Sequence, residues 1–143
     1  MNRPALVICA LAAAAALAAG GCAQDATQDI EGVTWVLSRY EDGSGEVVGV
    51  LDGTRVDAYF SDGSVSGTGG CNSYSGEYTS SDGSIEIGAL VQTEIFCMEP
   101  EGVMDQEAAF FQAMSRASSY RLEDSSLVLE DEEGGTLAVF EPE

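Results

Sequence analysis

Asp-Gly steps recur along this chain and constrain what it can fold into. "EDGSGE", "LDGT", "SDGS", "SSDGS", "EDSS" and "DEEGGT" are clusters of Asp, Gly and Ser spread over residues 41–136. Such steps suit tight hairpins, because Gly and Asp accept the positive φ that a two-residue turn demands. Between the clusters lie short apolar runs at 33–40, 47–51, 56–60, 65–68, 76–79, 85–87, 91–95, 120–123, 127–130 and 137–141. Several alternate with period two: Val56, Ala58 and Phe60 share one face, with Asp57 and Tyr59 on the other. One-faced strands joined by tight turns predict an antiparallel sheet curved around its own core. A doubly buried parallel sheet does not read this way.

Residues 100–117 break the pattern. Val103, Phe110, Met114 and Ala117 recur at helical spacing, with Met104 and Phe111 at the edges of the stripe. Glu99, Glu101, Asp105 and Glu107 lie toward the start and Arg116 near the end, which complements a helix dipole. One amphipathic helix, inserted between strands, is expected to cover an open side of the sheet, its Met and Phe residues serving as core.

The N-terminus reads as an export signal. Met1-Asn2-Arg3 precedes an alanine-rich run from Ala5 to Ala19 that ends in Gly20-Gly21-Cys22. A membrane-spanning helix needs roughly 20 apolar residues, more than this run supplies. "LAAGGC" resembles the bacterial lipobox, although Ala19 stands where Leu is commonest; an ordinary secretory cut is the alternative. We therefore expect a signal peptide at 1–21, a lipidated Cys22 with a tether over 22–29, and one domain over 30–143. Cys9 leaves with the signal. Localisation follows: an exported protein of the cell envelope, held to the membrane through its N-terminal lipid.

The chain has 25 acidic residues against five basic ones, contains no Lys and no His, and carries a net charge of −20. That balance disfavours nucleic acid and anionic lipid surfaces as partners, and is read as a solubilising surface. Self-repulsion favours a monomer.

Cys71 and Cys97 remain after export. A reactive thiol needs a base or a positive field, and this composition offers neither. Structural zinc takes four Cys or His ligands, and two are present; soft copper(I) coordination by Cys97, Met98 and Met104 is not required by any spacing. The Asp-Gly turns lack the alternating acids of a calcium loop. An oxidising compartment and an even pair of cysteines point to a Cys71–Cys97 disulfide, worth roughly 3–4 kcal/mol on the chain-entropy account. Gly69 and Gly70 then let the backbone turn and approach closely, and Asn72 suits a turn. No cofactor, metal or catalytic group is expected.

"GTGGCNSYSGEY" at 67–78 and "IEIGALVQTEIFCMEPEGVMDQEAAFFQAM" at 85–114 resemble the META domain, also called the HslJ-like domain. The likeness runs from "GVTWVLSRY" near residue 32 to "LAVFEP" at 142. It implies a small antiparallel sheet closing into a cracked β-barrel with one helix packed across it. It also places the two family cysteines at Cys71 and Cys97, and implies an envelope protein, often a lipoprotein. The best-known relative is a heat-shock protein linked to antibiotic resistance, and the fold resembles secretin pilotins. No enzymatic activity is established for the domain. The chain departs from the family in its acidity and at Glu94-Ile95-Phe96.

Two functional expectations follow. The first is a non-enzymatic envelope lipoprotein with a stress or assembly role, binding an envelope protein through a sheet edge or the barrel mouth. The second is a small-molecule or lipid carrier whose open interior is lined by Trp35, Phe110 and Phe111. An enzyme built on Asp/Glu pairs ranks below both, because 25 acids make chance pairs unavoidable.

Overall fold

The computed structural model describes residues 30–143. The expected signal, the Cys22 anchor and the tether lie outside the described residues. Ten strands and one helix follow in order: β1 Thr34–Glu41, β2 Val47–Gly49, β3 Asp57–Ser61, β4 Ser64–Thr68, β5 Ser73–Ser81, β6 Ser84–Ile87, β7 Val91–Gln92, α1 Val103–Arg116, β8 Ser119–Glu123, β9 Ser126–Glu130 and β10 Thr136–Pro142.

The turns act as their composition dictates. Asp62-Gly63 joins β3 to β4 and Asp82-Gly83 joins β5 to β6, all four residues at positive φ. Asp124-Ser125 makes the same two-residue turn between β8 and β9, with φ of 49° and 73°. Every strand pairing is antiparallel, in the order β10-β9-β8-β6-β5-β4-β3-β1-β2, and β1 also pairs with β10. That pairing, from Trp35 against Pro142 to Tyr40 against Ala138, closes eight strands into a ring. β2 continues β3's side of β1, while β7 adds to β5 beyond the end of β6.

The crack in this barrel is the contact between β6 and β8. It consists of the pair Ser84–Ser119, with backbone bonds from Ile85 N to Ser118 O (3.0 Å) and from Tyr120 N to Gly83 O (2.8 Å). α1 packs on β1, β6 and β10.

The inward faces match the alternation. Val56, Ala58, Phe60, Val65, Leu127, Leu129, Leu137 and Phe140 are fully buried. From the helix, Phe110, Ala113 and Met114 enter the same interior, Val103 is buried near Gly70, and Met104 and Phe111 are half-buried. Two expectations need correction. The strand foreseen over 91–95 stops at Gln92, and Glu107 is a buried side chain within the helix, not a solvated acid at its start.

Ser125 lacks the glycine that the second position of such a turn favours, and a side chain held left-handed costs about 1–2 kcal/mol. Ser125→Gly should therefore stabilise the protein by roughly 0.5–1 kcal/mol after the entropy cost of glycine. A raised urea midpoint at unchanged slope is the expected reading; a lowered midpoint would show that the turn is not strained.

Candidate functional site

Two segments remote in sequence converge on two neighbouring helix residues, and a third reaches them through Asn72. Glu107, 2% exposed, points its carboxylate at the loop between β4 and β5. Its Oε2 accepts from the backbone N–H of Cys71 at 2.9 Å and of Asn72 at 2.6 Å, and its Oε1 accepts from Asn72 Nδ2 at 2.6 Å. Asn72, equally buried, relays the contact. Its Oδ1 accepts from Ile95 N and from the Thr93 hydroxyl, both at 2.7 Å, and its Nδ2 donates to Ile95 O at 3.0 Å. Gln106 works the other way, accepting from Leu51 N at 2.7 Å and donating to Thr54 Oγ1 at 3.0 Å.

The cysteine and its glycines belong to this clasp. Cys71 and Cys97 form a disulfide with Cα atoms 5.9 Å apart. A side chain at Gly69 would put its Cβ 2.7 Å from Phe111 Cζ and 2.8 Å from Glu107 Cγ, so only glycine lets helix and loop approach. Gly70 follows at φ 115°, which a side chain disfavours.

Trp35 and Phe110 are buried in the core, and Phe111 is half-buried beside Gly69. Phe110 and Phe111 meet at 5.6 Å between ring centroids, and both stand edge-on to Tyr74, at 5.7 and 5.3 Å. Phe110 also meets Phe140 across the interior at 6.2 Å, while Trp35 donates its indole N–H to Ile30 O at 2.9 Å. None of these three residues lines a cleft of about 780 Å³ that residues 79–81 and 84–86 form with residues 115–118 and 131–133, beside the β6–β8 crack. Hydroxyls of Ser80, Ser84 and Ser118 border it, together with Glu86, Arg116 and Asp131.

Charge is spread and partly paired. Arg116 bonds Glu41 at 2.7 Å and Asp131 at 3.2 Å, Arg55 bonds Asp57 and Glu143, and Arg121 bonds Glu123 and Glu130. Among the described residues no cluster of three or more His, Cys, Asp or Glu could hold a metal, and no helix is long and apolar enough to cross a membrane.

Burial, and next the charge of Asp57, push the Tyr74 phenol well up from its ordinary value. Burial likewise raises Tyr40, helped by Asp42 and Asp105.

Sequence reasoning missed the Glu107–Asn72–Gln106 clasp. A signal was present: helical spacing puts Gln106 and Glu107 on the same stripe as Val103, Phe110 and Met114. The exposed side chains of Val91, Ile95, Phe96 and Met98 were also passed over.

A family profile described as META domain matches residues 28–143. No curated protein matches the chain. Among solved structures, it is similar to a protein from Burkholderia xenovorans determined by NMR, with 26% identity and a TM-score of 0.65 over 82% of this chain and 86% of the other. A second NMR structure matches at 21% identity and a TM-score of 0.58, over 79% and 92%. A crystal structure of a DUF4847 family protein from Bacteroides vulgatus matches at 16% and 0.56, over 80% and 94%. The last two speak to fold alone.

Two outcomes are expected. Glu107→Ala leaves two backbone N–H groups and the Asn72 amide without their acceptor, and should cost about 3 kcal/mol in urea unfolding. A loss below about 1 kcal/mol would mean that water replaces the carboxylate without penalty. The second concerns alkali. Tyr74 and Tyr40 titrate above the unfolded value of about 10, so their contribution is complete below that pH and is lost as pH rises beyond it. Tyr74→Phe should flatten part of that fall; an unchanged profile would count against a buried neutral phenol.

Proposed function

The chain belongs to the META domain family, and from that premise we propose that it is a non-enzymatic, lipid-anchored protein of the cell envelope that acts by binding another protein in a stress-response or assembly role. The observation that carries this reading is the burial of large side chains across the interior. Phe60, Phe110 and Phe140 are fully buried, the ring contacts run from β5 through the helix to β10, and no buried side-chain nitrogen or oxygen among the described residues lacks a hydrogen-bond partner. Close-packed interiors of this kind leave little space for a guest, so recognition falls to the outer surface. Trp35 and Phe110 serve the core, which weighs against the carrier reading. The acids are spread over many turns, and the ion pairs described above spend several of them on neighbouring arginines.

The anchor part of the reading rests on the sequence. Arg3, the apolar run and Gly20-Gly21-Cys22 are the motif that supports export and lipidation at Cys22. The Cys71–Cys97 bond suits the same oxidising compartment.

Native mass spectrometry of the protein extracted from its own membranes tests these points together. The expected mass is that of a chain starting at Cys22, carrying lipid and lacking the two thiol hydrogens of the disulfide, with no small molecule retained. A bound small molecule would transfer the reading to carriage. A mass without lipid would remove the anchor.

A further inference from the structure

β7 and the loop from it to α1 show water an apolar surface that the fold does not use. Val91, Ile95, Phe96 and Met98 are 73%, 57%, 76% and 81% exposed. Large side chains are exposed singly on most proteins; a run of them in one loop is a different matter. Nor is this loop loosely held. Asn72 binds Ile95 through both its N–H and its carbonyl, Thr93 N donates to Ser73 O at 3.0 Å, and Thr93 Oγ1 donates to Asn72. Cys97 is fixed by the disulfide, and its N–H meets Met104 Sδ at 3.4 Å. The backbone is thus clamped with its apolar side chains turned outward. Such pre-ordering lowers the entropy lost when a partner docks.

The charges around the loop decide which partner fits. Glu94, Glu99 and Glu101 are exposed within or beside it, and no basic residue occurs between Arg55 and Arg116. Arg55, Arg116 and Arg121 are each engaged by two carboxylates elsewhere. An apolar centre with an acidic rim complements an apolar surface with a basic rim. A second copy of this chain, at net charge −20, brings like charge to like, and an anionic lipid surface does the same. We propose that residues 91–98 form a docking surface for a basic, amphipathic polypeptide segment of a partner protein. The proposal rests on the protein-binding reading above and names the surface and chemistry it uses. Phe96 and Met98 supply the contact, while Glu94, Glu99 and Glu101 orient the segment.

The test uses the protein purified from its own membranes, titrated with a fluorescent amphipathic peptide of Leu and Lys. A scrambled peptide of identical composition serves as the charge control. The native chain should bind the amphipathic form at least about tenfold more tightly than the scrambled one, and Phe96→Ser should remove that preference. Phe96 is so exposed that its variant should melt with the native chain; Ile95→Ser provides a second reading. Equal binding of both peptides, or an unchanged preference in Phe96→Ser, overturns the proposal. So does concentration-dependent dimerisation, or binding to phosphatidylcholine vesicles, that Phe96→Ser abolishes; these assign the loop to self-association or to lipid. In-membrane crosslinking separates the two levels. A protein adduct that Phe96→Ser leaves intact sinks the docking loop and spares the protein-binding reading, whereas no adduct to the native chain sinks both.

Discussion

The carboxylate of Glu107 is the contact on which the rest of this structure depends. A barrel whose β6–β8 contact is a single residue pair needs its helix tied to it. Burial of Phe110 and Met114 supplies the adhesion, but apolar packing is non-directional and does not fix where along the strands the helix sits. The bonds from Glu107 to Cys71 and Asn72 do fix it, and Gln106 ties the next helix position to Leu51 and Thr54. Burying a carboxylate is costly unless its oxygens are occupied, and here three donors occupy them. The glycine at 69 follows from this arrangement, because Glu107 and Phe111 lie against it.

The four residues from Gly69 to Asn72 serve four separate needs. Gly69 makes room for the helix, Gly70 turns the chain, Cys71 ties it to Cys97, and Asn72 substitutes for a strand. The last role explains why β7 ends at Gln92. Beyond that residue the backbone groups of Ile95 bond to a side-chain amide in place of a neighbouring backbone. A two-residue strand thus continues as a loop held at Thr93, Ile95 and Cys97.

Local features of the fold were legible in the sequence. Alternation and Asp-Gly turns located all ten strands, because a hairpin is specified by residues within a few positions of each other. The helical stripe from Val103 to Ala117 was legible for the same reason. Closure of the ring was not, since β1 meets β10 across about a hundred residues, as Ser38 Oγ donating to Val139 O 101 positions away illustrates, and only the family resemblance implied it. The clasp was hidden by a similar distance. An acid near a helix start has a ready solvated explanation, and nothing local to Glu107 announces partners 35 and 36 residues away. The disulfide was readable because two cysteines leave one pairing. Exposure of Ile95, Phe96 and Met98 was not, because a run of apolar residues beside a cysteine reads equally well as core.

The clasp also couples stability to surface. Asn72 holds Glu107 with one edge of its amide and Ile95 with both, so the bonds that seat the helix are continuous with those that shape the apolar loop. A protein that merely needed a staple at Cys71–Cys97 could carry polar side chains on either side of Cys97 at no cost to the clasp, because Asn72 binds only the backbone of residue 95. The apolar identity of Ile95, Phe96 and Met98 is thus independent of the bonds that hold them. Fold stability explains the backbone of this loop and leaves its side chains unexplained, and a surface otherwise as acidic as this one gains nothing in solubility from them. The docking surface proposed at residues 91–98 is the use that accounts for their exposure.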